Sequence, residues 1–370
     1  MENIPRRQTL ISQTTAFLRA KIAAGYWQKR LPGERVLTGQ LQVSRNTLRG
    51  ALAQLRKEGV IHPVHGSGTE IIAPQQRGAA TLQSRDVALL SPDPLERLQP
   101  RQTLFIDELR GLMSERGCRL RIFHGRRFFQ PHPEANLEKL VADEPHGCWV
   151  LVTANNRVQS WFQKKRLPCV ISGSTYPGIE LPFADGDHRA ICRHAVGVLA
   201  RHGHTRIAYI AANVDRAGDL EGLEGFREGV RDCKRTEIAS QVVFHRCTAA
   251  SISLVLRRLM GQAERPTALL VANAFYFLAV ASQLSKMGYR IPEDISLICR
   301  DESAFLNFFI PSPARYVVSP HLIARNLWRP VLELLEGSTV TKRNGFIMPD
   351  FIAGDSLGPP AAARHPAPRT

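Results

Sequence analysis

The 370-residue sequence predicts an α/β chain in two parts: a small helical domain that ends in a β-hairpin, and a larger domain of two lobes with doubly wound parallel sheets. Three observations lead to this prediction. An amphipathic helix followed by two short strands lies near the N-terminus, apolar strands alternate with helices from residue 86 onward, and the formal net charge is +16. The length allows two or three domains, and the positive charge indicates an anionic partner.

The small domain is organised around an amphipathic helix that we predict from Ser44 to Glu58. The Ser44 hydroxyl can accept the free backbone N–H of Thr47, so Ser44 is a good N-cap. Leucines recur on one face of this helix, and arginines lie on the opposite face. These residues are Leu48, Leu52 and Leu55, and Arg45, Arg49 and Arg56. Because arginine can pair bidentately with guanine, and Asn and Thr can contact other base edges or phosphates, the pattern favours a helix that enters the DNA major groove.

Two further helices and a hairpin complete the small domain. Residues 8–24 predict a first helix and residues 33–40 a short polar one. Residues 60–64 and 69–72 predict two strands, which His65-Gly66-Ser67-Gly68 would join as a tight turn. A two-helix DNA reader followed by a hairpin is a winged helix-turn-helix, and its small wing tip can approach phosphates or the minor groove closely.

At these residues the chain resembles the GntR family of bacterial transcription regulators. The resemblance covers roughly residues 8–73 and rests on Leu31-Pro32-Gly33-Glu34-Arg35, Val43-Ser44-Arg45-Asn46-Thr47-Leu48-Arg49, Glu58-Gly59-Val60-Ile61 and Gly66-Ser67-Gly68-Thr69. It implies that the residues at the family's contact positions touch operator DNA: Arg35, Arg45, Thr47, Arg49, His65 and Gly66. Three neighbours complete the candidate DNA contacts: Ser44, Asn46 and Ser67. One small departure is Gly33, where the family often has Ser.

From residue 86 the pattern changes to apolar strands that alternate with helices. We interpret residues 75–85, which are polar and small, as a linker between a DNA-binding domain at 1–74 and a second domain at 86–357. The predicted strands are residues 87–90, 120–123, 148–152, 168–171, 207–210, 241–245, 268–272 and 295–299. The predicted helices are residues 103–116, 134–142, 156–166, 188–201, 221–233, 251–260 and 277–287. This repetition is typical of a doubly wound parallel sheet.

Two such series on one chain indicate two lobes with a cleft between them. We assign residues of about 86–183 and 315–347 to the first lobe, about 184–310 and 348–357 to the second, and 358–370 to a disordered tail. Ligands of open α/β sheets bind beyond the carboxyl ends of the strands, so the cleft is the expected ligand site.

The larger domain looks like the effector domain of the LacI/GalR family, which has the periplasmic-binding-protein fold. The matching segments are Asp185-Gly186-Asp187, His202-Gly203-His204-Thr205-Arg206, Glu224-Gly225-Phe226-Arg227, Arg265-Pro266-Thr267-Ala268, Gly288-Tyr289-Arg290-Ile291-Pro292 and Asp301-Glu302-Ser303. The resemblance covers about residues 86–357 and is strongest at 185–303. A GntR-type reader on a LacI-type sensor resembles arabinose-type repressors, and it implies that a small carbohydrate-like effector controls operator binding.

Several positions depart from the pattern of that family. Gly222 stands where the family usually has an arginine that holds sugar hydroxyls, and Arg300 precedes Asp301 where an aromatic residue is usual. We therefore hypothesise a sugar acid or sugar phosphate as effector, with Arg300 holding the anion while Asn273 and Asp301 hold hydroxyls. The alternative is that Arg300 pairs with Asp301 or Glu302 and points away from any ligand.

Six residues form the candidate effector site: Ser91, Asp93, Asn273, Phe275, Arg300 and Asp301. The first two follow the first strand of the larger domain, where such folds place a ligand loop. We expect Asp185 and Asp187 to cap a helix and to line the lobe crossover, and we expect no catalytic residue.

The remaining features narrow the class of protein. The seven cysteines are scattered and form no CxxC pair, which favours a reduced cytoplasmic protein with no structural zinc. We expect no cofactor and no metal site. No apolar run approaches the length of a membrane span, and the N-terminus has no signal-peptide pattern. We expect a transcription regulator, a repressor, whose partners are double-stranded operator DNA, a small-molecule effector and a second copy of the chain. Two other classes stay open: the same reader fused to an enzyme, and an effector-blind DNA-binding dimer.

Overall fold

The computed structural model describes residues 10–23, 27, 30–57, 60–64, 68–71, 85–213, 216–233, 237–340 and 345–361. The chain divides into two compact units, Met1–Leu82 and Gln83–Thr370. The division falls inside the stretch that the sequence predicts as a linker. Within the described ranges, no helix has the length and apolar character needed to span a membrane.

The first unit is a winged helix-turn-helix, as the sequence predicts. In chain order it contains α1 (Leu10–Ala23), β1 (Arg30–Leu31), α2 (Glu34–Leu41), α3 (Arg45–Lys57), β2 (Ile61–Val64) and β3 (Gly68–Ile71). The strands form an antiparallel sheet in the order β1-β3-β2, in which β2 and β3 are the predicted hairpin.

Helix α3 forms where its cap and apolar stripe predict it. The backbone N–H of Thr47 donates to Ser44 Oγ at 3.1 Å, so the predicted N-cap is confirmed. The three leucines of the stripe are buried in the core of this unit. Gln42 adopts a left-handed conformation (φ 50°) and turns the chain from α2 into α3. Gly59, the predicted end of the helix, lies outside the described residues.

The second unit alternates strands and helices along its length. Its strands are β4 (Asp86–Ser91), β5 (Arg119–His124), β6 (Cys148–Val152), β7 (Cys169–Ser172), β8 (Phe183–Gly186), β9 (Arg206–Ala212), β10 (Ala239–His245), β11 (Ala268–Val271), β12 (Ser296–Cys299), β13 (Ala314–Val317), β14 (Phe346–Ile347) and β15 (Asp350–Ile352). Its helices are α4 (Pro100–Glu115), α5 (Glu134–Asp143), α6 (Asn156–Lys164), α7 (His188–Arg201), α8 (Ala217–Asp232), α9 (Ala249–Met260), α10 (Ala274–Lys286) and α11 (Pro320–Leu335).

Each lobe is a three-layer sandwich of helices around one sheet. The first lobe has the parallel order β14-β8-β7-β6-β4-β5, with α4 and α11 packed on one face and α5 and α6 on the other. The second lobe has the order β10-β9-β11-β12-β13-β15, in which only β15 is antiparallel. Helices α9 and α10 cover one face of this sheet, and α7 and α8 cover the other. The predicted two-lobed α/β fold is confirmed.

Three chain segments cross between the lobes, after β8, after β13 and after β14. Strand β8 belongs to the first sheet and β13 to the second, so the first two boundaries lie a few residues further along than predicted. A Cβ on Gly186 would lie 2.9 Å from Val318 Cγ2, which shows that the first two crossover segments touch.

The packed part of the chain extends beyond the predicted start of the tail. The Gly358 carbonyl oxygen lies 2.8 Å from His204 Nε2, and the Gly358 N–H donates to Ser296 Oγ at 3.0 Å. Residue 358 therefore belongs to the second lobe, and residues 362–370 lie outside the described ranges.

Several helices begin earlier than the apolar periodicity predicts, and caps set the first residues of two of them. Helix α4 begins at Pro100 after a capping box between Gln99 and Gln102. Helix α10 begins after Asn273, whose Oδ1 accepts the backbone N–H of Phe275 at 2.9 Å. Helix α8 also begins four residues before its predicted start. The last strand predicted from the sequence is residues 295–299, so the elements after residue 300, including α11, were not predicted.

Candidate functional site

A cavity of about 700 Å³ lies between the two lobes of the second unit. Residues that follow strands of both sheets line it: Thr153 after β6, Ser174 after β7, Asn273 after β11 and Asp301 after β12. The carboxyl ends of parallel strands leave backbone and side-chain polar groups free at a crevice. The cavity therefore lies where the sequence predicts the ligand site.

The first lobe supplies amides that are held in place by hydrogen bonds. Gln102 Nε2 donates to Thr153 Oγ1 at 3.0 Å, and Asn155 Nδ2 donates to the Phe129 carbonyl oxygen at 2.8 Å. The Nε2 atom of Gln159 donates to two backbone carbonyls at 3.0 and 3.1 Å. These fixed amides form a preorganised wall, which suits recognition of hydroxyl groups.

Asp185 adds a buried carboxylate to the cavity wall. Ser174 Oγ donates to Asp185 Oδ2 at 2.7 Å, and His188 Nε2 lies 3.4 Å from the same oxygen. Burial opposes ionisation, but His188, Arg101 and the Ser174 hydrogen bond outweigh it and lower the pKa of Asp185 to about 2. Asp185 is therefore an ionised acceptor. As predicted, Asp187 caps a helix, since its Oδ1 accepts the Ala190 N–H at 2.8 Å.

Arg300 lies in the cavity wall, but its guanidinium is already engaged. Its Nη1 donates to Tyr209 Oη at 2.8 Å, and its Nη2 donates to Asp219 Oδ1 at 2.6 Å. The residue is only 7% exposed. Burial disfavours the charged form, yet Tyr209 and Asp219 outweigh burial and raise the pKa of Arg300 well above its ordinary value.

The pairing of Arg300 that the sequence suggested as an alternative is wrong. It pairs with Asp219 and not with Asp301 or Glu302, and each of its terminal nitrogens already donates one hydrogen bond. The space that it fills depends on Gly222, because a Cβ there would lie 2.6 Å from Arg300 Nη1. The absence of a side chain at position 222 thus lets the guanidinium enter from β12.

Asp301 links the two lobes. Its Oδ1 lies 3.7 Å from Arg101 Nη2, and Arg101 belongs to α4 of the first lobe. Its Oδ2 lies 3.5 Å from Asn273 Nδ2. Both partners of the ion pair are largely buried, with side-chain exposures of 17% and 11%. A ligand that reaches Asp301 therefore meets a carboxylate held between an amide and an arginine.

The other three candidates have different places. Ser91 is buried, and its Oγ donates to the Asp93 carbonyl oxygen at 2.7 Å, so it shapes the loop and does not line the cavity. Asp93 lines the cavity and pairs with Arg126 at 3.0 Å. Phe275 is 47% exposed and lies outside the cavity wall. Tyr276, which follows Phe275 in the first turn of α10, lines the cavity instead of Phe275. Asn273 is the N-cap of this helix.

Many lining residues were not predicted because they lie on segments distant in sequence. They include Arg97, Arg101, Gln102, Phe129, Thr153, Asn155, Gln159, Ser174, Tyr176, His188, Arg216, Asp219 and Tyr276. The available signal was their position just after a strand or at the start of a helix. Many other residues have the same kind of position, so the position alone does not identify the residues that line the cavity.

In the first unit, α3 presents exposed polar side chains at its N-terminal end. Arg45 and Asn46 are exposed, and Arg35 on α2 is exposed as well. Arg49 is also exposed, although its Nε donates to Glu34 Oε2 at 3.0 Å. An ion pair between exposed groups contributes little to stability, so Arg49 can exchange it for another acceptor.

The remaining candidate DNA contacts fall into two groups. Ser44 Oγ and Thr47 Oγ1 lie 2.8 Å apart at the start of α3, where they also form the cap. His65, Gly66 and Ser67 of the wing tip lie outside the described residues.

A winged helix-turn-helix with exposed arginines, followed by a two-lobed domain with a polar cleft, defines a class of DNA-binding proteins that carry a ligand-binding domain. Residues 10–71 match the family model for bacterial regulatory proteins of the gntR family. Residues 196–357 match the model for the periplasmic binding protein-like domain. The chain therefore carries a gntR-family domain followed by a periplasmic binding protein-like domain, and both resemblances stated from the sequence are confirmed.

Several relatives of this chain are transcription regulators. The HTH-type transcriptional repressor PurR of Vibrio atlanticus (strain LGP32) is 26% identical over 159 residues, which cover 43% of this chain and 47% of that protein. The chain thus spans about half the length of this relative. The arabinose metabolism transcriptional repressor of Geobacillus stearothermophilus is 23% identical over 290 residues, covering 75% of this chain and 77% of that protein.

The fold is also found among solved structures. The complex of transcriptional regulator CelR with cellobiose matches with a TM-score of 0.66 at 20% sequence identity. The match covers 95% of this chain and 100% of that chain. At this identity the likeness concerns the fold.

Proposed function

We propose that this chain is a sequence-specific bacterial transcription regulator, a repressor whose operator binding is controlled by a small carbohydrate-like effector in the cleft. It acts in the cytoplasm as a homodimer. The observation that carries the proposal is the cavity of about 700 Å³ at the strand ends, in a chain that also presents an exposed arginine helix. A cavity of this size accommodates a small ligand.

The chemistry of the cleft supports a ligand rich in hydroxyl groups. Asp185 and Asp301 are acceptors for hydroxyls, and Asn273 offers a hydrogen-bonding amide. Tyr176 and Tyr276 add aromatic rings to the wall, against which the apolar face of a sugar ring can pack. The arabinose repressor and the cellobiose complex among the relatives support the same class of effector.

The state of the charged groups favours binding over catalysis. Asp93 is held by Arg126, Asp301 lies against Arg101, and Asp219 holds Arg300. A general base works best when its pKa lies near the working pH, whereas the pKa of Asp185 is about 2. We therefore propose that the cleft binds its ligand without transforming it.

On the DNA side, the proposed contacts come from α2, α3 and the wing: Arg35, Ser44, Arg45, Asn46, Thr47, Arg49, His65, Gly66 and Ser67. The N-terminal end of a recognition helix is the end that meets base edges. The effector controls operator binding through a population shift, because it favours one arrangement of the two lobes. In a dimer this change alters the spacing of the two DNA-binding domains, and therefore the affinity for two half-sites.

The DNA-reading part is tested with the operator itself. Sequencing the DNA that co-purifies with the full chain identifies candidate operators, and fluorescence anisotropy measures the affinity for them. Arg45→Ala and Arg49→Ala are each expected to weaken specific binding by about 1–3 kcal/mol, the cost of losing a base contact. Arg258→Ala, at an exposed position of α9, is the matched control. Unchanged affinity in both α3 variants would remove this helix as the reader.

The effector part is tested with a thermal-shift screen of neutral sugars, sugar acids and sugar phosphates. A compound that stabilises the protein should also change operator affinity, and Asp301→Asn should weaken both effects. A DNA-binding protein whose operator affinity responds to no compound in the screen would instead support the effector-blind alternative.

A further inference from the structure

The charged groups of the cleft balance one another with two exceptions. Three arginines in the wall each face a carboxylate: Arg126 with Asp93 at 3.0 Å, Arg101 with Asp301 at 3.7 Å, and Arg300 with Asp219 at 2.6 Å. The fourth carboxylate, Asp185, faces His188 at 3.4 Å. Within the described part of the chain, these pairs use all four aspartates of the cavity wall. The positive charge that is left over must come from the remaining arginines.

Those arginines are Arg97 and Arg216, and they come from opposite lobes. Arg97 lies in the loop that follows β4, and Arg216 directly precedes α8. Both line the cavity, and both are exposed. Neither has a carboxylate partner among the residues that the structure describes. A cleft with uncompensated arginines on both walls attracts an anion.

The start of α8 adds hydrogen-bond donors at the same place. This helix of 16 residues begins at Ala217, and its N-cap residue supplies no side-chain cap. In the described ranges, the backbone N–H groups of Ala217 and Gly218 donate no hydrogen bond, and both residues line the cavity. Free N–H groups at a helix start favour negative charge.

A buried histidine lies beside this helix start. His188 is 8% exposed, lines the cavity, and has a buried Nδ1 without a hydrogen-bond partner in the described residues. It packs against the start of α8, because a Cβ on Gly218 would lie 2.7 Å from His188 Cδ2.

We propose that the effector carries an oxyanion, a phosphate or a carboxylate, which binds at the start of α8 between Arg216 and Arg97. The inference rests on the proposed effector function and names the chemical class of the ligand. The hypothesis of an acidic effector, made from the sequence, is retained. Arg216 and Arg97 take the place of Arg300 as the residues that bind its anionic group. A guanidinium on each lobe also means that the anion favours the closed arrangement.

Inorganic phosphate is the minimal probe of this site, titrated calorimetrically into the full chain at constant ionic strength. We expect Arg216→Gln and Arg97→Gln each to weaken phosphate binding by about tenfold or more, as the loss of one charge-assisted hydrogen bond implies. Arg258→Gln, which removes an exposed arginine far from the cavity wall, controls for phosphate bound elsewhere on this basic chain. Equal binding by the wild type and both cleft variants would overturn the proposal.

A second experiment distinguishes failure of the proposed anion site from failure of the proposed effector function. D-glucose, D-gluconate and D-glucose 6-phosphate are compared in the same titration and in operator release. Binding of an acidic sugar that falls in Arg216→Gln supports the site, and the stronger of the two acids identifies the kind of oxyanion. A neutral sugar that binds better than either acid and is unaffected by Arg216→Gln refutes the anion site but leaves the effector function standing.

Discussion

Arginine occupies opposite states in the two functional regions of this molecule. Arg45 on α3 is exposed, and the described residues include no carboxylate partner for it. Arg300 in the cleft is 7% exposed and donates to Tyr209 and Asp219. The sequence suggests both as ligand contacts, because both lie at the end of a regular element. The difference shows that a position at the end of a regular element does not by itself leave the donors of an arginine free.

The two regions also differ in how their side chains are positioned. At the start of α3, the Ser44 cap and the exposed arginines lie within a few residues of one another. In the cleft, the partners of Arg300 are 91 and 81 residues away along the chain. We therefore expect changes to the buried pair of Arg300 and Asp219 to alter folding, and changes on the surface of α3 to alter DNA binding alone.

The largest effect is expected from Gly225→Ala. Helix α8 packs on α7 so closely that a Cβ at this position would lie 2.1 Å from the Arg189 carbonyl oxygen. The backbone cannot yield without separating the helices, so we expect a loss of at least about 3 kcal/mol, measured by urea unfolding.

Gly111→Ala in α4 is the control for that substitution, because nothing lies within 4 Å of its Cβ position. In a helix with free space, Ala should be neutral or stabilise by up to about 1 kcal/mol. Equal effects of the two substitutions would show that the contact between α7 and α8 does not constrain this lobe.

The next effect concerns the pair that holds Arg300. Asp219→Ala leaves a buried guanidinium without its carboxylate, which should cost about 3 kcal/mol of unfolding free energy. Replacing Arg300 as well, in the double variant Asp219→Ala/Arg300→Met, should recover part of this loss, because no unpaired charge remains. A double variant that is no more stable than Asp219→Ala alone would contradict a charge-based origin. Arg45→Ala should leave unfolding unchanged.

A smaller effect depends on pH and tests the ionised state of Asp185. Because its folded-state pKa is about 2, below the ordinary value of 3.8, the carboxylate contributes stability above pH 3.8. That contribution, about 2 kcal/mol, is lost as the pH falls through the folded-state value. The stability difference between wild type and Asp185→Asn should therefore shrink as the pH falls from 5 to 3 in urea unfolding.

Asp107→Asn, at a carboxylate with 80% side-chain exposure on α4, is the matched control. A difference between wild type and Asp185→Asn that stays constant from pH 5 to pH 3 would show that the Asp185 carboxyl is not stabilised in its ionised form.

Much of the fold follows from the sequence because its determinants are local. The cap of α3, its buried leucines and the hairpin all lie within about forty residues, and each acts on its neighbours. The parallel strands were predicted for the same reason, since a short apolar run defines a buried strand without reference to its partner. Helix starts were less well predicted, because Gln99 and Asn273 act through caps that precede the apolar stripe.

The sequence by itself thus determined the class of both domains and the face of α3 that is free for DNA, since periodicity and capping operate within a few turns. The tertiary structure alone decided the composition of the cleft. It placed Tyr276 in the wall in place of Phe275, brought Arg101 across to Asp301, and let Arg300 fill the space over Gly222. These outcomes depend on which charges and volumes meet when distant segments pack, and charge pairing between such segments has no periodic signature in the chain.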